Sequence, residues 1–148
     1  YWDVAIDGQE LKIIEGNLVT ATADTRLTIA TDGSATFAAN VSDSKGNLRS
    51  IPKNAQSSAY VAVASDAGKA IFISTGGVTI PTGQFSAGDA LTIINNSGSD
   101  QTITQGSSIT IHNSADASTG NRTLAARGMA TIWFASATSG YISGAGLS

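Results

Sequence analysis

The chain has no cysteine in its 148 residues. That excludes a disulfide framework, a thiolate metal site and a cysteine nucleophile. Histidine occurs once and proline twice. Charge is scarce: 13% of residues are Asp, Glu, Lys or Arg, against roughly 25% in an average globular protein. The net charge of −3 and eight dispersed basic residues argue against nucleic-acid binding, which needs a basic stripe. No apolar run approaches the ~18 residues of a membrane-spanning helix. Helical periodicity is missing as well, and the best candidate, Leu124-Ala-Ala-Arg127, is stopped by Gly128.

What is present is Ala, Gly, Ser and Thr around short β patterns. The chain is 41% hydrophobic, so this is not the composition of disorder. A surface of hydroxyls and amides suits an extracellular structural protein or a subunit that buries much of itself in an oligomer. Without disulfides, interlocked subunits are the expected source of stability. A start at Tyr1 rather than Met makes the chain an expected part of something longer.

Charge divides the chain. Up to Pro52 there are seven acids and four bases; from Lys53 onward there are four of each. The shift coincides with the loop signals of Ile51-Pro-Lys-Asn-Ala-Gln-Ser57. The expected units are therefore residues 1–52 and 53–148.

In the first unit, Leu11–Glu15, Asn17–Thr22, Arg26–Ala30 and Ser34–Ala39 read as strands. Thr31-Asp-Gly33 is a hairpin signal and Ser44-Lys-Gly-Asn47 a second turn. So thin an apolar face should not fold alone. Three copies around one axis could pool it, and a trimeric β shaft or collar is expected, with Tyr1 and Trp2 packed in it.

In the second unit, strands are expected at Ala59–Val63, Ala70–Ser74, Gly77–Ile80, Ala90–Ile94, Gln101–Thr104, Ser108–His112, Arg122–Ala125, Gly128–Ala135 and Gly140–Ser143. Turns about every 8–12 residues suggest a sandwich or small barrel. Leu91 with Ile93, Ile109 with Ile111, Ile132 with Phe134, and Ala70 with Phe72 each read as the apolar side of a strand whose other side carries Thr or Ser.

Catalytic constellations are weak. His112 would have to serve any Ser-His-Asp site with Asp116 or Asp100, yet no Gly-x-Ser-x-Gly elbow accompanies it. Capping a strand end is its plainer role. A glycosidase needs paired carboxylates. The two Glu, Glu10 and Glu15, lie in the thin first unit; Asp66, Asp89, Asp100 and Asp116 sit in loops, where Asp usually bonds nearby backbone. The oxygen-rich Asp116–Asn121 segment lacks EF-hand spacing, so a solvated turn is expected rather than Ca²⁺. Asp66-Ala-Gly-Lys69 lacks the rest of a phosphate loop. No metal, cofactor or catalytic residue is expected.

On strict alternation Trp133 shares a face with Thr131, opposite Ile132 and Phe134. It is a candidate for an interface or, less simply, a sugar-stacking platform. Thr75, Asn95, Asn96, Asn113, Asp116 and Asn121 are further binding candidates, on the supposed loop tips 74–77, 95–98 and 113–121. Loops on rigid scaffolds often carry recognition.

An ordered series of phrases carries a resemblance. Arg26-Leu-Thr-Ile-Ala-Thr-Asp-Gly-Ser-Ala-Thr-Phe37 resembles a phage-fibre shaft phrase, and Val41–Pro52 a junction. Asp66-Ala-Gly-Lys69, Phe85-Ser-Ala-Gly-Asp89, Ile94-Asn-Asn-Ser97, Ile103-Thr-Gln-Gly106, Asn121–Gly128 and Ile142-Ser-Gly-Ala-Gly-Leu-Ser148 follow. From about Leu27 to Ser148 the chain resembles the C-terminal β module of bacteriophage tail fibres and other virion structural proteins. The resemblance implies an all-β homotrimer with a short shaft and a jelly-roll-like β-sandwich head. It implies a place on the virion surface, contact with other virion proteins, and attachment to a host-surface glycan or protein. It supplies no catalytic residues. Rival readings are a capsid decoration or other architectural virion protein without a receptor, a carbohydrate-binding module, and a fibre-borne glycan hydrolase.

Overall fold

A computed structural model describes residues 2–7, 10–16, 23–39, 41–43, 46–47 and 50–148. The described residues are all-β apart from one 3₁₀ turn, Ala64–Asp66. The chain divides into two compact units, Tyr1–Ser42 and Asp43–Ser148.

The first unit holds β1 (Trp2–Asp7), β2 (Glu10–Gly16), β3 (Ala23–Ile29) and β4 (Ala35–Phe37), an antiparallel meander in sequence order. The expected strand at 17–22 lies outside the described residues. The Asp32-Gly33 turn joins β3 to β4. Ala30 N–H donates to the Ser34 carbonyl at 2.9 Å, Ser34 N–H donates to Asp32 Oδ1 at 2.9 Å, and Gly33 takes φ +83°. Leu27 pairs with Phe37 across this hairpin, and Phe37 is half exposed at 49%. A two-stranded ribbon follows, β5 (Ser42–Asp43) with β6 (Gly46–Asn47).

The second unit continues with β7 (Lys53–Gln56), β8 (Tyr60–Val61), β9 (Ala70–Ile73), β10 (Val78–Ile80), β11 (Ala90–Asn95), β12 (Gln101–Gln105), β13 (Thr110–Asn113), β14 (Arg122–Ser136) and β15 (Ser139–Leu147). Much of the pairing is parallel rather than hairpin-like. Lys53 pairs with Ala70 and Ala70 with Thr92, so β7, β9 and β11 stack as one parallel row. Tyr60 pairs with Val78 and Val78 with Ile103, so β8, β10 and β12 stack as a second. The chain therefore winds three coils, each giving one strand to each row.

The long strand β14 closes the stack. Met129–Trp133 pairs antiparallel with β11 in the first row, and Arg122–Leu124 pairs with β12 in the second. It crosses between rows at a bulge, where Arg127 takes φ +63°. Leu124–Arg127, the best helical candidate in the sequence, is this bulge. Along the other edge of β14 runs β15, and β13 pairs with β15 in parallel. The main path of the sheet is nearly closed, with β7 and β8 at its two ends, and β15 and β13 branch from β14.

Both rows face one core. Ile71, Ile73, Leu91, Ile93, Ala130, Ile132 and Phe134 come from the first row; Ala62, Val78, Ile80, Ile103 and Leu124 come from the second row or the segments adjoining it. Phe85, from the β10–β11 loop, stacks on Phe134 with ring centroids 4.3 Å apart. The expected inward pair of β9 is corrected: Ile71 and Ile73 are fully buried while Phe72 faces outward, half-buried. Ala70-Ile-Phe-Ile73 is apolar at every position, so alternation could not orient it. Lys53–Gln56, which carries loop signals, is a strand because its neighbour supplies the bonds. Ala70 N–H donates to the Pro52 carbonyl at 2.9 Å and Ser74 N–H to the Gln56 carbonyl at 3.0 Å.

Candidate binding face

The outward side of the first row, extended by β14, β15 and β13, carries three rungs set by strand register. Side chains opposite one another on neighbouring strands lie close enough to interact.

The first rung is Ala90–Trp133–Tyr141–His112. Trp133 is 49% and Tyr141 47% exposed. His112 stacks on Tyr141 at a centroid distance of 5.2 Å, and Tyr141 lies 6.4 Å from Trp133. The interplanar angles are 26° and 37°, so His112 and Tyr141 stack face to face while Trp133 is tilted against Tyr141.

The second rung is Lys53–Ala70–Thr92–Thr131–Ser143. Thr92 and Thr131 share a hydroxyl–hydroxyl hydrogen bond of 3.0 Å. The third is Ala55–Phe72–Ile94–Met129–Ala145. Met129 is half exposed, and Lys53 Nζ lies 5.1 Å from the Phe72 ring centroid in a cation–π contact. The face thus reads rings, hydroxyls, apolar groups. A shallow depression of about 310 Å³ adjoins the third rung, lined by residues including Gln56, Ser57, Phe72, Ser74 and Asn96.

The seven candidates from the sequence separate. Trp133 is on this face. Thr75 and Asn96 stand on the stacked turns at one edge of the coils, where Asn96 Oδ1 accepts from Arg127 Nη1 at 2.8 Å. Asn113, Asp116 and Asn121 belong to the β13–β14 connection. There Asp116 Oδ1 accepts from Ser118 Oγ at 2.6 Å and Ser118 N–H at 2.9 Å. These bonds, with a smaller contribution from Arg122, hold the Asp116 carboxyl below its ordinary range. Asn121 Oδ1 accepts from Gln105 N–H at 2.9 Å, and Asn113 is largely buried with its Oδ1 bonded to Ala115 N–H.

Asn95 is a correction. It is fully buried. Its Nδ2 lies 2.8 to 3.0 Å from the carbonyls of Ser99, Leu124 and Ala125. Its Oδ1 accepts from Ser97 N–H and Oγ. Every polar atom of the side chain is used inside the fold, so it pins the β14 bulge rather than meeting a ligand.

The second unit's aspartates are also backbone acceptors, from Val63 N–H to Asp66, Ser86 N–H to Asp89 and Ala126 N–H to Asp100. Asp66 is buried and joins the two sheet edges. It accepts from Asn54 Nδ2 of β7 and Tyr60 Oη of β8, each at 2.8 Å. Burial and the bond to Asp66 push the Tyr60 phenol above its ordinary range.

Sequence reasoning missed Tyr141 and the ring role of His112. A usable signal existed: Ile142 is an inward residue, so Tyr141 faces outward, and the short 137–138 connection sets it against Trp133.

The chain matches no family model, no curated protein and no solved structure.

Proposed function

We propose that this chain is a component of a bacteriophage virion fibre that attaches to the host surface. Residues 1–52 would form a trimeric β shaft or collar, and residues 53–148 a sandwich-like head. The observation that carries this reading is the row of three neighbouring rings on adjacent strands, Trp133–Tyr141–His112, of which Trp133 and Tyr141 are half exposed. Aromatic side chains with polar tips are the groups that recognition surfaces use most. The ordered phrases that resemble fibre modules add to it. So does the first unit, where Phe37 and Ile29 leave apolar surface uncovered by their own chain, as pooling among three copies requires. Weak contacts at each head would be made effective by several heads per particle.

Met129, Ile94 and Phe72 on the same face favour a second reading, an architectural or capsid decoration protein whose sheet packs against another subunit.

Co-sedimentation with bacterial envelope preparations tests the choice. The attachment reading expects the chain to pellet with envelopes of some bacteria and not others. A chain left in every supernatant, as dispersed as in buffer, would favour the architectural reading.

A further inference from the structure

We propose that β7 is a releasable strap, which leaves β9 as one piece while the rest of the large sheet stays folded. The inference concerns the motion of the fold; it goes beyond the attachment reading and does not rest on it.

Four observations carry it. First, β7 gives nothing to the core. Among the described residues the buried cluster begins at Ala62. Lys53 and Ala55 are exposed, and Asn54 and Gln56 are only half-buried. A segment with few buried apolar contacts opens at lower free energy than the core it borders. Second, β7 has a single backbone partner. It ends the sheet path at one side, and β8 ends it at the other. Lys53–Gln56 pairs with Ala70–Ile73 of β9, while side chains alone span the seam to β8. Third, the catch across that seam survives on one side when β7 leaves. Asn54 Nδ2 donates to Asp66 Oδ1 at 2.8 Å, and Gln56 Nε2 donates to Asn54 Oδ1 at 2.7 Å. Asp66 is buried, so stranding its carboxylate would oppose opening. It is not stranded: Oδ2 still accepts from Tyr60 Oη at 2.8 Å and from Val63 N–H at 2.9 Å. Fourth, β7 is the first strand of this sheet in chain order. A pull on the chain before Pro52 therefore reaches β7 before it reaches the core. The other end is built differently, because β15 pairs with both β13 and β14 and its Ile142 is fully buried. The strap thus gives the second unit a yield point where the chain enters from the first.

Residue-resolved amide hydrogen exchange on the full 148-residue chain tests this, because β9 bonds to β7 and to β11 through different backbone groups. Ala70 N–H donates to the Pro52 carbonyl and Ser74 N–H to the Gln56 carbonyl. On the other edge, Thr92 N–H donates to the Lys69 carbonyl and Asn96 N–H to the Ile73 carbonyl. The expected result is that Ala70 and Ser74 are protected less than Thr92 and Asn96 by on the order of a hundredfold, the mark of an opening short of global unfolding. Equal protection of the two pairs overturns the inference, since β7 would then open only with the whole unit. Low protection at Ser74 without Ala70 overturns it as well, because that is fraying of one turn. Asn54→Pro supplies the second arm. It removes the side chain of the catch and puts a residue without an N–H into β7, which holds the strap open. Thr92 and Asn96 should stay protected in that variant, and its thermal unfolding should stay cooperative. Loss of their protection, or a variant that no longer folds, would show that the sheet cannot stand without β7.

Discussion

The side-chain amide of Asn95 donates to the backbone carbonyl of Leu124 at 3.0 Å, inside the protein. That bond ties the last residue of β11 to the point where β14 leaves one row for the other. Asn95 Nδ2 meets the carbonyls of Leu124 and Ala125 where the β14 register breaks. Asn95→Ala should therefore cost about 3 kcal/mol, the range for stranding buried polar groups. Urea denaturation measures it; a loss below about 1 kcal/mol would show that the bulge holds without the pin.

Gly144 sits opposite Ala130 in the β14–β15 pair. A methyl group there would overlap the Met129 carbonyl oxygen and the Ala130 backbone. Gly144→Ala should destabilise strongly. Gly88→Ala should cost only about 1 kcal/mol from its positive φ, because nothing lies near its Cβ position. Equal thermal midpoints for the two variants would contradict the close approach.

Phe85 and Phe134 stack at 12° between planes, both essentially buried. Phe134→Ala should cost about 3–5 kcal/mol, as large-to-small aromatic changes in cores do. Near-neutral behaviour in the same urea titration would mean that the Phe85 loop does not seal the core.

Tyr60 gives a pH prediction. Its folded pKa lies above the ordinary 10.0 because burial and the bond to Asp66 favour the neutral phenol. The folded state then keeps a proton that the unfolded chain loses. The stabilisation is present below pH 10.0 and falls away as pH rises through the folded value. Tyr60→Phe should remove this step from the alkaline stability profile. An unchanged profile between wild type and variant would show that the phenol does not link β7 to β8.

The sequence made strands legible where alternation was clean. Leu91 with Ile93 and Ile132 with Phe134 are buried, and Trp133 faces out. The same rule failed at Ala70–Ile73, apolar on both sides. Parallel pairing was not legible because the coils differ in length and share no repeated residues: Lys53 to Ala70 and Ala70 to Thr92 are unequal steps. Short strands a few residues apart then read as hairpins. Asn95 read as a loop tip because Asn-Asn-Ser-Gly is turn chemistry; only the three-dimensional bulge of β14 gives it an inward task. The ring strip needed the β14–β15 register, which a single strand pattern does not contain.

The most direct test of the fibre account is the solution mass of this chain by light scattering. The account predicts a trimer, near three times 14.9 kDa. A stable monomer of 14.9 kDa would contradict the shared-core shaft and move a decoration protein or free binding module ahead of the fibre.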